Sequence, residues 1–216
     1  MEQCKKYLIN SFIVSILFVI FCFNSYKSVS ASDGYVCNHG FHTFGDYTLN
    51  GGVGNYGYTD RYYWVDSSFS NTYVTYINKA VSEWVHTTDS IGVTTSISIK
   101  KTTTRKSSVF DYIKGTLDNG VLGKTSFYKH GGILLNINNQ GALNENYSYS
   151  YIKLDTSNLN SIPSDQRRAT CAHELGHAMG LSHHQISSSI MCQYGSGRTT
   201  AVPSKNDLSA INHLYN

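Results

Sequence analysis

His173-Glu174-Leu175-Gly176-His177-Ala178-Met179-Gly180-Leu181-Ser182-His183 is the stretch from which the rest of this 216-residue chain can be read. Two histidines four positions apart on a helix differ by about 40° of rotation and roughly 6 Å of rise, so both rings lean over one face. His173 and His177 can therefore close on a single metal ion. Gly180 lets the chain leave the helix sharply, and His183 then returns as a third nitrogen ligand. His184 is the alternative third ligand, but the six-residue spacing from His177 favours His183. Three protein ligands leave the fourth tetrahedral position to water, as in a catalytic zinc site. Glu174 lies about 100° around the helix from His173, where it reaches that water rather than the metal.

Outward from this stretch, the helix is expected to begin near Pro163 and Ser164 and to run through Arg168, Ala172, Leu175 and Met179 to Gly180, a residue suited to a left-handed helix stop. A last helix begins at Pro203-Ser204, where Ser204 and Asp207 form a capping pair ahead of the stripe Leu208, Ile211 and Leu214. Upstream, Arg61 to Asp66 reads as a strand. Val74, Ile77, Val81, Trp84 and Val85 then mark a helix starting between Ser70 and Thr72. Alternation at Ile91, Val93, Ile97 and Ile99 predicts another strand. Leu122 to Lys129, Ile133 to Ile137 and Tyr147 to Leu154 give three more. The order indicates an α+β (or α/β) domain with a sheet on one side and a later helical lobe, without internal repeats.

Composition restricts the class. A length of 216 residues fits one compact domain rather than several, and two prolines with 17 basic and 14 acidic residues argue against a disordered chain. The basic group Lys100, Lys101, Arg105 and Lys106 is interleaved with Thr and reads as a solvated strand edge or loop, so no nucleic-acid partner is expected. Lys5 and Lys6, the apolar run Phe12 to Phe23 and the small residues Val29-Ser30-Ala31 form a signal-peptide pattern over residues 1–31. The run is too short for a membrane span of about 20 residues. A secreted, monomeric chain without stable membrane association is expected, with Cys37, Cys171 and Cys192 remaining. Residues 32–58, rich in Gly and Asn, read as a short leader or propeptide outside the core, and 59–216 as the catalytic domain.

The pattern H-E-x-x-H-x-x-G-x-x-H followed by Ser189-Ile190-Met191 resembles the metzincin zinc peptidases. Leu181-Ser182-His183 and the ending Asp207 to Tyr215 are similar to matrixins, particularly small secreted bacterial ones. The resemblance covers Tyr62 to Tyr215 in element order, with specific motifs only in the last part of the chain. It implies a twisted, mostly parallel sheet with packed helices and a Met-turn that sets Met191 beneath the imidazoles. It also implies that Asp207 fastens the last helix to that turn. No Glu follows Glu174, which excludes peptidases that take a downstream Glu as third ligand.

The implied activity is a zinc-dependent endopeptidase on protein or peptide substrates, with one catalytic Zn2+ and Glu174 moving a proton from water to the leaving amine. An extended substrate would add to a sheet edge within residues 122–138 or 147–154. The chain shows no histidine and aspartate set like the one that binds a second zinc in vertebrate matrixins, and no acidic calcium loop, which argues against additional Zn2+ or Ca2+. Asn206 stands where relatives often carry another acid. Tyr194 falls three residues after Met191 and reads as a substrate-pocket wall. Cys37 and Asp46 are rival latency plugs for the zinc, and a Cys171 to Cys192 disulfide is a further option because the Met-turn packs under the metal-binding helix. The competing functions are a non-catalytic metzincin-fold adhesive or binding protein and a cell-wall peptide amidase.

Overall fold

The computed structural model describes residues 36, 37 and 39–216; the expected signal segment 1–31 lies outside them. A six-stranded sheet is built from β1 (Arg61–Val65), β2 (Ile99–Lys101), β3 (Phe110–Lys114), β4 (Gly123–Tyr128), β5 (Leu134–Leu135) and β6 (Tyr149–Leu154), in the order β2-β1-β3-β6-β4-β5. The first four strands in that order run parallel; β4 is antiparallel to β6, and β5 to β4. The helices are α1 (Asn71–Val85), α2 (Thr87–Ile91), α3 (Thr156–Leu159), α4 (Ser164–Ala178) and α5 (Lys205–Tyr215). This is the mixed α+β, mostly parallel architecture that the sequence predicts. Among the described residues, no helix is long and apolar enough to cross a membrane.

Helix α1 forms because Tyr73, Ile77, Ala80, Val81 and Trp84 fall on one side, and that side packs on α4. Helix α4 is different: every residue from Ala169 to Ala178 is buried. A helix enclosed on all sides must find partners for whatever polar groups it carries inward. Four aromatic side chains donate to carbonyls of this helix and of Met179, which caps it. Trp84 Nε1 reaches Ala172 at 2.9 Å, and Tyr112 Oη reaches Cys171 at 3.0 Å. Tyr147 Oη reaches Ala178 at 2.8 Å and Tyr215 Oη reaches Met179 at 3.0 Å. These contacts lock α4 to α1, the sheet and α5.

Several expectations are corrected. Ile91 ends α2, which stops at Gly92 (φ 75), and only Ile99–Lys101 finds a strand to pair with. Ile97 and Ile99 are buried as the alternation predicts, but alternation alone supplies no hydrogen-bond neighbour. Strand β3, absent from the sequence reading, runs through the middle of the sheet. Phe110, Asp111 and Tyr112 are all buried, so no period of two betrays it. Asp111 is accommodated by Ser108 and by Arg105, whose Nε lies 2.7 Å away. Of the basic group, Arg105 also stacks over Trp64 and Tyr151. Strand β6 is interior, so 147–154 offers no free edge.

Residues 41–58 also depart from the expected loop. Phe44, Leu49 and Val53 are in the core. The segment is laced on by Phe44 N to Gly180 O (3.0 Å), Leu143 N to Phe44 O (3.0 Å) and Asn50 N to Tyr147 O (2.7 Å). Its partners are distant in sequence, which is why no local pattern reveals it.

Trp84→Phe keeps the ring volume roughly but leaves the Ala172 carbonyl without its indole donor. Urea denaturation is expected to register a loss of about 1–3 kcal/mol.

Candidate metal centre

Helix α4 carries His173 and His177 on one face, and the chain after Gly180 (φ 102) returns His183 to them. One nitrogen from each ring lies within 4.8 Å of the others. His177 Nε2 and His183 Nε2 are 3.2 Å apart. Two ligands about 2.0–2.1 Å from a tetrahedral ion would be separated by roughly 3.3–3.4 Å, so the pair already has the spacing of a coordination edge.

The far ring nitrogens explain why the near ones converge. His173 Nδ1 is 2.8 Å from the Ile190 carbonyl and His177 Nδ1 is 2.7 Å from the Leu181 carbonyl. A carbonyl only accepts, so each Nδ1 carries the proton and each Nε2 turns its lone pair toward the cluster. Burial holds His173 well below its ordinary 6.5, with the neighbouring His177, Arg198 and His183 acting in the same direction. Burial, then His183, brings His177 down to about 3. Neutral imidazoles are the form that binds metal. The three residues present therefore fit a zinc-type ion.

Glu174 is buried beside them. Burial pushes its carboxyl up to about 7, against the opposing effects of a Thr125 hydrogen bond and the Arg198 charge. Thr125 Oγ1 lies 2.8 Å from Glu174 Oε2 and 3.0 Å from the Glu174 carbonyl. Gly123, two residues earlier on β4, leaves the space the carboxyl occupies: a Cβ there would stand 2.7 Å from Glu174 Cγ and Oε1. Arg198 is itself 5% exposed and donates to Thr170 at 2.9 Å; burial lowers it to about 10. The sequence reading missed Thr125, Gly123 and Arg198. None belongs to the histidine motif, and each meets α4 only through tertiary packing.

Met191 lies under α4, and Gly176 is what admits it: a Cβ at Gly176 would collide with Met191 Sδ and stand 3.0 Å from Trp84 Cζ2. Asp207 caps α5 through Ser204 and also accepts from Ile190 N at 3.1 Å, while Ser189 Oγ reaches its other oxygen at 2.5 Å. The link that the resemblance implied between the last helix and the Met-turn is present.

Other candidates fall elsewhere. His184 stacks on His42 with centroids 4.2 Å apart and is not part of the three-histidine group. Tyr194 opens a short 3-10 turn, Tyr194–Ser196, at 36% exposure. Cys37, Cys171 and Cys192 are buried thiols, so Cys171 and Cys192 form no bridge; burial raises Cys171 to about 12. Cys37 and Asp46 face His213 rather than the three imidazoles, unlike a latency plug.

A family model described as Matrixin matches residues 70–216. Among solved structures the chain is similar to High choriolytic enzyme 1, a hatching enzyme zinc-protease from Oryzias latipes (Medaka fish), at 16% identity and a TM-score of 0.40, covering 72% of this chain and 88% of that one. No curated protein sequence matches.

Two measurements test the geometry. Gly123→Ala crowds the flexible end of Glu174 rather than backbone, so the variant is expected to fold with near-normal stability. Peptide hydrolysis should nevertheless fall about 10- to 100-fold, since a displacement of roughly 1 Å is costly in catalysis. The second concerns acid. His173 and His177 stay neutral when folded but protonate near 6.5 when unfolded, so below that pH the unfolded chain binds more protons and stability falls with pH. Glu174, raised to about 7, acts in the opposite sense but is one group against two. Thermal melts of chelator-treated protein should show the midpoint dropping as pH is lowered through 6.5.

Proposed function

Because the chain belongs to the matrixin family of peptidases, we propose that it is a secreted zinc-dependent endopeptidase whose metal is held by His173, His177 and His183 and whose general base is Glu174. The observation that carries this reading is the convergence of three imidazole nitrogens beside a buried carboxyl with a pKa of about 7. A base acts best when its pKa lies near the working pH, since it must both accept and return a proton. Bound zinc supplies Lewis acidity and lowers the pKa of water toward neutrality.

In this mechanism Glu174 takes a proton from the attacking water and gives it to the leaving amine. Thr125 holds one carboxyl oxygen, leaving the other for the proton. Arg198, buried behind the helix, favours the carboxylate between transfers. Strand β4 serves the substrate. Its pairing with β5 is confined to Phe127 and Tyr128, and no described strand pairs with Gly123 to Ser126 on that side. An extended peptide can add there as a further strand, next to the residues that position Glu174. The catalytic domain in this proposal takes in residues 41–58, which supply Phe44, Leu49 and Val53 to the core, together with 59–216, and secretion rests on the pattern of residues 1–31. The non-catalytic binding reading is disfavoured by Glu174, because burying a carboxyl costs stability that a binding scaffold has no reason to spend. The cell-wall amidase reading shares all of this chemistry and differs only in substrate.

Glu174→Ala is expected to retain zinc by elemental analysis while casein hydrolysis falls about 100- to 10,000-fold. Full activity in that variant would overturn the assigned base. Digestion of cell-wall peptides without casein cleavage would move the assignment to an amidase.

A further inference from the structure

Cys37, His39, Asp46 and His213 form a second group of metal-ligand side chains, with one donor atom from each within 4.8 Å of all the others. The group is separate from the three-histidine cluster. It joins the turn at residues 37–46 to the last turn of α5.

His213 Nε2 stands at its centre. Cys37 Sγ is 3.6 Å away and Asp46 Oδ1 is 3.2 Å away, and the His39 ring lies with its centroid 4.9 Å from that of His213. One imidazole nitrogen can share one proton with one neighbour, yet this one faces a sulfur and a carboxylate at once. A cation satisfies all four donors. With Zn–S about 2.3 Å and Zn–N or Zn–O about 2.0–2.1 Å, tetrahedral edges are roughly 3.5 Å for sulfur to nitrogen and 3.3 Å for nitrogen to oxygen. Both separations in the protein are close to these.

The backbone is shaped to the same end. Cys37 N donates to Phe41 O and Gly40 N to Cys37 O, each at 2.9 Å, which folds Cys37 and His39 into one tight turn. Gly45 (φ 82) and Asp46 (φ 62) both adopt left-handed conformations, turning the carboxylate back toward α5. Thr43 Oγ1 donates to Asp46 Oδ1 at 2.7 Å and fixes its orientation, as outer partners of metal ligands do. Phe41 stacks on the His213 ring, with centroids 4.9 Å apart.

We propose that Cys37, His39, Asp46 and His213 bind a structural zinc ion that staples the N-terminal segment to α5. A thiolate and a carboxylate neutralise a divalent charge. One sulfur and two nitrogens select zinc over calcium or magnesium, which take oxygen ligands. Four protein ligands leave no open position, so the site is closed and stabilising rather than catalytic. The stapled segment bridges Leu181 at Thr43 and sets the Phe44 ring 5.5 Å from that of His177. Metal at the staple therefore orders residues that pack against the candidate catalytic centre.

The test uses protein that retains Cys37. Cobalt substitution should give a near-ultraviolet thiolate-to-cobalt charge-transfer band, which a ligand set of three histidines cannot produce. The band should persist in His177→Ala and vanish in Cys37→Ser. Zinc analysis after dialysis should show one equivalent lost in Cys37→Ser or His213→Ala, and a different equivalent lost in His177→Ala. Absence of the thiolate band from the folded, unsubstituted protein, or zinc content unchanged by Cys37→Ser, overturns the staple. Failure of the proposed peptidase site would appear separately, as zinc content unchanged by His177→Ala.

Discussion

The structure depends on the two backbone carbonyls that hold the far sides of His173 and His177. An imidazole is a useful ligand only when its other nitrogen is committed, because that commitment settles both the tautomer and the ring angle. The Leu181 carbonyl is delivered by the left-handed turn at Gly180, and the Ile190 carbonyl by the segment before Met191. That segment is in turn held by Asp207 through Ile190 N. The orientation of a ring on α4 is thus set by a carboxylate at the start of α5, and the C-terminal helix becomes part of the site without touching it.

Burial does the electrostatic work. From Ala169 to Ala178 helix α4 lies wholly inside the molecule, with carbonyls there and at Met179 answered by Trp84, Tyr112, Tyr147 and Tyr215. The same desolvation that lowers the histidines raises Glu174, since in each case the charged form is disfavoured. Space is as closely arranged as charge. Gly176 admits Met191 beneath the helix and Gly123 admits the Glu174 side chain above it, so two absent side chains decide how near the sheet and the Met-turn approach.

The N-terminal segment completes the enclosure. Phe44, Leu49 and Val53 enter the core, while Cys37, His39 and Asp46 gather at His213. A segment that contributes apolar contacts at one end and a closed ligand set at the other is held by two independent means. Its attachment points are on α5 and beside His177, the elements that already depend on Asp207 and Gly180.

Much of the site was legible in the chain itself because its governing rule is local. Helical periodicity places His173 and His177 on one face, Gly180 permits the turn to His183, and Ser204 with Asp207 announces a capped helix. Each of these follows from residues within a single turn or loop. The fold class was legible for a similar reason, through the order of periodic segments and the motif's resemblance to metzincins. Tertiary structure alone decided the rest. Strand β3 is enclosed on both faces and so lacks the alternation that marks a strand. Residues 41–58 have no period because their partners lie before β2, in the 142–148 loop and after α4. Thr125 and Glu174 are 49 positions apart, and Cys37 and His213 are 176 apart. Short-range backbone geometry can be read from neighbouring residues. Which distant side chains share a buried volume is settled only when the chain closes on itself and each polar group must find a partner away from water.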